Sequence, residues 1–302
     1  MTGSIVVVGS TNTDMVIKTD RFPQPGETLL GGEFFLNPGG KGANQAVAAA
    51  RLGGQVTFVA KVGIDLFGQQ AREQFRNEGI VTDYISTDPE RPSGVALITV
   101  DGKGENTIVV ASGANGTLSP QDLAQAQPAI YEAEVLLLQL ESPMVTVSGA
   151  ARMGANAGAR VILNPAPAAT LPDDLFPTLF LITPNRSEAE ALTGVKINTL
   201  ADAEAAARKL QEKGVANVVV TMGSEGAYLL EGEKGTHVPA PVVTPLDSTA
   251  AGDVFNGALA VGLAEGLELE EAVRFASQVA AISVTRLGAQ ASAPYRHEVS
   301  LK

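Results

Sequence analysis

Short apolar runs alternate with stretches of helical periodicity along most of the chain. The first run, Ile-Val-Val-Val at residues 5–8, has no polar alternation, which is typical of a strand buried on both faces of a parallel sheet. Ser119 followed by Pro120 is typical of a helix start. The alternation predicts an α/β fold with a mostly parallel sheet flanked by helices. Further strands are predicted at residues 56–60, 135–140, 161–163, 179–183 and 218–221, and helices at residues 43–52, 67–77, 252–266 and 269–286.

Two regions break this rhythm, at about residues 14–36 and 93–111. They lack helical periodicity, and glycines at positions 26, 31, 32 and 102 fit turns between antiparallel strands. We therefore expect a small accessory β-sheet whose strands are inserted into a single domain that spans residues 1–302.

The composition narrows the classes of function. Of the 302 residues, 45% are hydrophobic and 18% are charged, which fits a folded globular protein with a large core. A net charge of −12 without a long basic run argues against a nucleic-acid partner. The chain has no cysteine, which excludes disulfides and thiolate metal sites and fits a reducing compartment. No membrane-length apolar run or signal peptide is visible, so we expect a cytoplasmic protein without a membrane partner.

The stretch from Asp247 to Asp253 carries the strongest chemical signal. Ala250, Ala251 and Gly252 are small residues just before a predicted helix, where unpaired backbone N–H groups attract anions. Asp253 follows them in the first helical turn. A carboxylate beside an anion site has a use if it deprotonates a hydroxyl that attacks a phosphoryl group. The simpler interpretation is an acid that complements the helix dipole, but the preceding small residues favour the catalytic one.

Three loops at predicted strand ends carry polar side chains suited to a polyhydroxyl ligand. A glycine-rich loop places Lys41 and Asn44 at a helix start, although its spacing is not that of a Walker A loop. Asn12 and Asp14 follow the first strand, where open α/β sheets bind ligands, and Glu141 follows another strand. Tight turns, an Asx turn and an ordinary exposed acid remain the alternatives for these segments.

Two further strand ends suit a phosphate-bearing ligand. Glu188 falls in the first turn of a predicted helix, where it is either a capping acid or a carboxylate that orients metal-bound water. The loop at residues 221–226 contains glycines and hydroxyls, which fit either a phosphate-approaching loop or a plain hairpin turn. His237 and His297 lie far from all these segments, which gives a histidine triad or a histidine metal site little support.

Taken together, these segments resemble the ribokinase-like family of sugar kinases, which also holds fructokinases and adenosine kinases. The resemblance covers nearly the whole chain and implies a Rossmann-like α/β fold with a small inserted β-sheet lid. It rests on Gly-Ser-Thr-Asn-Thr-Asp at 9–14, Pro-Gly-Gly-Lys-Gly-Ala-Asn-Gln-Ala at 38–46, Gln-Leu-Glu-Ser-Pro at 139–143, Asn-Pro-Ala-Pro at 164–167, Thr-Pro-Asn-Arg-Ser-Glu-Ala-Glu at 183–190, and the segments 247–253 and 284–290.

The resemblance implies ATP-dependent phosphorylation of D-ribose at O5, with Asp253 as the base that takes the hydroxyl proton. It implies an anion hole formed by Ala250, Ala251 and Gly252. Ribose would be held by Asn12, Thr13, Asp14, Gly40, Lys41, Gly42, Ala43, Asn44, Glu141 and Asp253. The nucleotide site would be lined by Asn185, Thr221, Met222, Gly223, Ser224, Glu225, Gly226, Gly252 and Ser277. Glu188 would serve Mg²⁺ through water, and a monovalent cation, usually K⁺, would lie at Asp247, Thr249, Ser283, Arg286, Gly288 and Ser292, mostly on backbone carbonyls.

The same resemblance implies that the accessory strands form a lid over the sugar and that two lids pack together into a homodimer. A lid also has a physical use, because excluding water prevents futile ATP hydrolysis. Three positions depart from the family pattern. Ser248 stands where Thr is usual, and Ala250 stands where the family often has Gly, although ribokinases commonly carry Ala. Ser277 stands near the adenine position, where related enzymes often have His or Asn.

Other activities remain as alternatives. Within the family these are fructokinase, deoxyribokinase and nucleoside kinase, although Lys41 and Glu141 disfavour the larger nucleoside. A catalytically silent sugar-binding regulator is disfavoured by the intact Asp253 segment. A nucleotide-binding structural protein would not need the polar side chains of the sugar loops.

Overall fold

Strands and helices alternate along the chain as the apolar pattern predicts. A computed structural model describes residues 3–299. The strands are β1 (Ser4–Val8), β2 (Asn12–Lys18), β3 (Glu33–Gly39), β4 (Gln55–Gly63), β5 (Ile85–Asp88), β6 (Gly94–Val100), β7 (Asn106–Ala111), β8 (Val135–Leu138), β9 (Arg160–Leu163), β10 (Leu181–Ile182), β11 (Asn217–Thr221), β12 (Ala227–Glu231) and β13 (Lys234–Val238). The α-helices are α1 (Lys41–Arg51), α2 (Leu66–Asn77), α3 (Pro120–Gln125), α4 (Gln127–Tyr131), α5 (Met144–Ala157), α6 (Arg186–Thr193), α7 (Leu200–Glu212), α8 (Ala251–Ala264) and α9 (Leu269–Ser283).

The larger sheet has nine strands in the order β13-β12-β11-β10-β9-β8-β1-β4-β5. All neighbours from β11 to β5 pair in parallel, which confirms the predicted mostly parallel sheet. The other edge is an antiparallel extension formed by β12 and β13. Strand direction at this edge is set by a short hairpin connection, which the apolar pattern does not distinguish from a longer crossover.

Both faces of the larger sheet are buried. Ile5 and Val7 of β1 belong to one apolar cluster, which α1, α8 and α9 complete, whereas Val6 and Val8 belong to the cluster on the other face with α5 and α7. Burying one such side chain stabilises the fold by about 1.5–3 kcal/mol. The continuous apolar run of β1 therefore has a direct structural cause.

The smaller sheet, called the lid sheet below, has the strand order β3-β2-β6-β7. The hairpins β2–β3 and β6–β7 are antiparallel, as predicted, but β2 and β6 pair in parallel, so the prediction of antiparallel strands throughout is wrong. The four strands begin and end close to the predicted lid boundaries of 14–36 and 93–111. The assignment of the whole chain to one domain, including the residues outside 3–299, stays a prediction.

Local signals explain several element ends. Ser119 caps α3 by accepting a hydrogen bond from Asp122 N, and the Asp122 carboxylate accepts one from Ser119 N, as expected for a capping box. The run at 135–140 ends as a strand at Leu138, because Leu140 N donates instead to Ala166 O in a loop. Among residues 3–299 there is no helix with the length and apolar character that a bilayer crossing requires.

Candidate active site

Most of the residues predicted for catalysis and sugar binding lie near the carboxyl ends of the parallel strands. The loops after β1, β8, β9, β10 and β11 all end at this edge of the sheet, and α1 and α8 begin there. A cavity of about 470 Å³ opens between the lid sheet and the loops after β8 and β9, and its lining includes Asn12, Glu141 and Ser142. Parallel strands therefore gather side chains that are far apart in the sequence.

Asp253 lies in the first turn of α8 with its side chain turned into the protein. Asn44 Nδ2 donates to Asp253 Oδ2 at 2.9 Å, and Gln45 Nε2 donates to Asp253 Oδ1 at 3.0 Å. Burial raises the pKa of Asp253, while the positive charge of Lys41 and the two amide hydrogen bonds lower it. A buried carboxylate held by neutral donors is suited to accept a proton.

The start of α8 has the geometry of an anion site. Ala250, the residue before the helix, has a φ of 58° and is the one non-glycine residue with positive φ within 3–299. Such a conformation costs roughly 1–2 kcal/mol for a residue with a Cβ. Within the described residues no acceptor is found for Gly252 N or Asp253 N, and an added Cβ on Gly252 would meet nothing within 4 Å. Two N–H groups without a protein acceptor and space beside Gly252 are the features that binding of a phosphoryl group requires.

Glu141 lies at the amino end of α1. Its Oε2 accepts hydrogen bonds from Ser10 Oγ at 2.5 Å and from Lys41 N at 3.0 Å, so the carboxylate is held against the amino end of α1. Glycines allow this close approach: a Cβ on Gly40 would lie 2.7 Å from Thr11 Cα, and one on Gly42 would lie 2.7 Å from Ser10 N.

Asp14 points toward the same cluster of charges. Burial, together with the nearby carboxylates of Glu141 and Asp253, raises the pKa of Asp14 from 3.8 to about 6, and Lys41 opposes the shift. On the same face of β2, Asn12 Oδ1 accepts from Asn115 Nδ2 at 2.8 Å, which leaves the Asn12 amino group as the free donor. Three carboxylates and one lysine thus lie close enough for their charges to interact, and hydroxyl groups are suitable ligands for such a cluster.

Two residues of the predicted sugar set contribute no side chain to this cluster. Thr13 points to the opposite face of β2, where it lines a separate cavity of about 120 Å³ beside Phe67. Ala43 is fully buried in the apolar core. Only their backbone atoms could reach a ligand.

The predicted nucleotide loops lie side by side. Asn185 and Thr221 form an isolated parallel bridge between the loops after β10 and β11. Asn185 caps α6 by accepting from Glu188 N, and Glu188 accepts from both Asn185 N and Asn185 Nδ2 at 2.9 Å. Burial raises the pKa of Glu188, and the negative charge of Asp253 raises it further. The hydrogen bond from Asn185 N and the positive charge of Lys41 lower it. Glu188 is therefore a capping acid of α6 that lies within the electrostatic influence of Lys41 and Asp253.

The loop from Met222 to Gly226 is a tight hairpin connection between β11 and β12. Gly226 has a φ of 95°, and a Cβ there would lie 2.0 Å from Val238 O, so glycine is required. Met222 is buried in the core. The expectation that His237 lies far from the site segments is wrong, because its Nε2 lies 2.7 Å from Glu225 O of this loop. The β12–β13 hairpin brings it there.

Ser277 is buried within α9, and its Oγ donates to Val273 O of the same helix at 2.9 Å. The described contacts do not join it to the hairpin loop. Its assignment to the nucleotide site stays a prediction.

The predicted cation residues form two joined segments. Asp247 accepts from Thr249 N at 2.9 Å and from Gly288 N at 2.8 Å, and these bonds hold the pKa of Asp247 below its usual value although burial alone would raise it. Ser283 Oγ and Ser292 Oγ each donate to a carbonyl three residues earlier. Arg286 pairs with Glu298 at 2.7 Å, so its backbone carbonyl is the group left for an ion.

The sequence interpretation missed the buried amides of the site. Gln139 and Asn164 follow β8 and β9, Gln45 follows Asn44 on α1, and Asn115 lies near the foot of the lid sheet. The signal that could have found them is an uncharged polar side chain at the end of an otherwise apolar run, since such a group needs a partner when buried.

The chain is similar to known carbohydrate kinases along nearly its whole length. The model of the "pfkB family carbohydrate kinase" matches residues 2–296. A curated ribokinase of Haemophilus influenzae is 43% identical over 99% of this chain and 97% of its own length. A deoxyribokinase of Salmonella typhi is 40% identical, with 96% and 95% covered. The structure of an Arabidopsis thaliana ribokinase complexed with ribose and ATP is 33% identical, has a TM-score of 0.92 and covers 99% of this chain and 98% of its own.

Proposed function

The chain belongs to the pfkB family of carbohydrate kinases, and we propose that it transfers the γ-phosphoryl group of ATP to O5 of D-ribose. The observation that carries the proposal is Asp253, a buried carboxylate held by Asn44 and Gln45 beside the unpaired N–H groups of α8. Asp253 accepts the proton of the attacking hydroxyl. The N–H groups stabilise the negative charge of the transferring phosphoryl group.

The charged side chains of the candidate site suit a small polyol. Asp14 and Glu141 accept hydrogen bonds from hydroxyl groups, while the Asn12 amino group and Lys41 donate to hydroxyl oxygens. These contacts fix which hydroxyl faces Asp253, because a pentose bound in another orientation would leave buried polar groups unpaired. The nucleotide then lies over the loops at residues 185–188 and 221–226.

A magnesium ion fits the donor set beside these loops. Glu188 is a buried carboxylate with a raised pKa, so a nearby cation would offset its desolvation. Among residues 3–299 there is no group of three or more His, Cys, Asp or Glu side chains that could hold a metal, so most ligands of the ion would have to be nucleotide phosphates and water. When bound, Mg²⁺ neutralises charge on the transferring phosphoryl group.

An acceptor panel tests the proposal. ADP release is measured with ribose, 2-deoxyribose, fructose and adenosine, each with ATP and Mg²⁺, and we expect the highest kcat/KM for ribose. A higher kcat/KM for deoxyribose would make deoxyribose the acceptor, while the proposed phosphoryl transfer would remain the same. Binding of ribose by calorimetry without turnover of any acceptor would instead identify a silent sugar-binding protein.

Replacing Asp14 with Asn is expected to raise the KM for ribose by about 10–100-fold, because a charged acceptor of sugar hydroxyls is lost. The KM for ATP should change by less than about twofold, since Asp14 lies on the sugar side of the site. Steady-state kinetics with each substrate varied in turn measures both values. Equal changes for the two substrates would contradict the sugar role.

The same substitution should stabilise the free protein at neutral pH. Since the pKa of Asp14 is about 6 when folded and 3.8 in its ordinary state, ionisation opposes folding. This cost is nearly absent below about pH 3, grows as the pH rises from about 4 to 6 and changes little above about pH 7. The melting temperature of Asp14→Asn should therefore exceed that of the wild type at pH 8 and match it near pH 3.

We also propose a K⁺ site between the segments at residues 247–249 and 283–292. The donor chemistry fits, since Asp247 is held ionised and the remaining candidates are backbone carbonyls and hydroxyls, which are hard oxygen ligands. Such an ion would order the start of α8.

Activity should therefore rise, mainly in kcat, when K⁺ replaces Na⁺ at constant ionic strength. The measurement uses dialysed enzyme in a tetramethylammonium background. A rate that does not depend on K⁺ would mean that Asp247 only closes a turn, as its bond to Thr249 N allows.

A homodimer through the lid sheet and a cytoplasmic location complete the proposal. Apolar side chains are exposed on the lid strands, among them Phe35 at 39% and Ile108 at 53%. A patch of this kind is typical of an interface. The cysteine-free composition supports the reducing compartment.

A further inference from the structure

Gln45 lies at the centre of a buried chain of amides that ends on Asp253. Its Nε2 donates to Asp253 Oδ1 at 3.0 Å and to Asn164 Oδ1 at 3.1 Å. Its Oε1 accepts from Gln139 Nε2 at 2.6 Å. Gln45 and Gln139 are fully buried, so substrate does not reach them.

The contacts leave the Gln45 amide a single orientation. An amide flip would turn Oε1 toward the oxygens of Asp253 and Asn164 and the amino group toward Gln139, which would lose all three hydrogen bonds. Asn164 is fixed in turn because its Nδ2 donates to Thr183 O at 3.3 Å. Two strand ends of the larger sheet therefore determine where the Gln45 donor points.

The backbone of Gln45 is fixed by close packing of α1 on α8. A Cβ on Gly257, one turn after Asp253, would lie 2.6 Å from Gln45 O. The two helices thus meet at the level of Asp253 with no freedom to shift. The position of the amide relative to the carboxylate is set by the fold and not by the ligand.

We propose that Gln45 is a positioning residue for phosphoryl transfer, which holds the Asp253 carboxylate in the rotamer that receives the sugar proton. The inference rests on the proposed function of Asp253. Asn44 holds the other carboxylate oxygen of Asp253, but it is also one of the proposed ribose ligands. Replacing Asn44 would therefore change ribose binding and the position of the base together. Gln45 acts through Asp253 alone.

A neutral amide suits this task because it orients the base without neutralising it. Four charged groups already act on Asp253 or respond to it: Lys41 on α1, Glu141 after β8, Asp14 on β2 and Glu188 on α6. A second cation at position 45 would lower the proton affinity of Asp253, and an anion would repel it. Gln139 and Asn164 hold the amide without adding charge.

The first test is Gln45→Met, which keeps the volume and removes both donors. We expect kcat to fall by about 10–100-fold, as for loss of one hydrogen bond to a charged group, with KM for ribose and ATP within about twofold. The acid limb of the kcat–pH profile should move to higher pH, because the carboxylate loses a donor. A merely destabilised protein would not show this shift.

The matched control is Asn217→Leu. Asn217 is another buried amide, which donates to Phe180 O at 3.0 Å, but it lies at the amino end of β11, away from the site. Its loss should lower stability and leave kcat and its pH profile unchanged. If Gln45→Met does not fold, Gln139→Met is the substitute variant. This substitution removes the hydrogen bond that Gln139 donates to Gln45 but leaves the contacts of Asp253 in place. It should lower kcat by a smaller factor than Gln45→Met.

The deciding measurement repeats Gln45→Met in the Asp253→Asn background. If Gln45 acts through Asp253, the second substitution has no further effect on the residual rate. An equal fold-loss in both backgrounds, or an unchanged kcat in Gln45→Met, would overturn the proposal. The pKa of Asp253 followed by ¹³C NMR in the free protein is independent of turnover. It should rise in Gln45→Met even if the acceptor panel finds no substrate, so failure of the proposed function stays distinguishable.

Discussion

Asp253→Asn is expected to lower kcat by a factor of about 10²–10⁴, which is the usual contribution of a general base. The amide cannot take the proton of the sugar hydroxyl, although it fills the same space beside Asn44 and Gln45. Binding of ribose and ATP should change little, because the other sugar and nucleotide contacts remain. Single-turnover rates and calorimetric affinities measure the two effects separately.

Asp202→Asn is the matched control for this prediction. Asp202 and Asp253 both occupy the third position of a helix, α7 and α8 respectively, but Asp202 accepts from Thr199 in a capping box far from the site. If Asp253 only complemented a helix dipole, the two substitutions would each lower stability slightly and leave kcat alone. Near-normal turnover of Asp253→Asn would show that Asp253 is not the general base.

The α/β architecture could be predicted because its signals are local. The run at residues 5–8 is apolar at every position, since β1 is buried on both faces between two core layers. The parallel pairing of β2 with β6 could not be predicted in this way. A strand's periodicity reports which face is buried, but the direction of its neighbour depends on how the chain returns to it.

The candidate site shows the same difference between residues with a local signal and residues defined by long-range contacts. Asp14, Glu141 and Asp253 could be proposed from the sequence because a carboxylate near glycines or a strand end stands out in an apolar context. Gln45 was not assigned a role, because its partners Asn164 and Asp253 are 119 and 208 residues away. Contacts across that separation leave no spacing in the sequence.

One face of the lid sheet explains why a second copy of the chain is expected. Asp14 and Val16 are two residues apart on β2, so their side chains share this face. Val16 pairs with Phe35 on one side and Ile98 on the other, and Ile98 pairs with Ile108. Sugar can cover the cross-strand row of side chains that contains Asp14. The next row, formed by Phe35, Val16, Ile98 and Ile108, is apolar and lies beyond the sugar. A second lid sheet laid on that row would bury it and close the site.

Ile108→Asp is therefore expected to convert a dimer into monomers. An unpaired charge buried in an apolar interface costs roughly 3–5 kcal/mol, which weakens association by about 10²–10⁴-fold. Sedimentation velocity across a concentration series measures the change, and KM for ribose should rise because the lid no longer closes. Thr107→Asp is the control, since Thr107 is exposed on the opposite face of β7 and should leave the dimer intact. A dimer that survives Ile108→Asp but dissociates in Thr107→Asp would assign the interface to the other face.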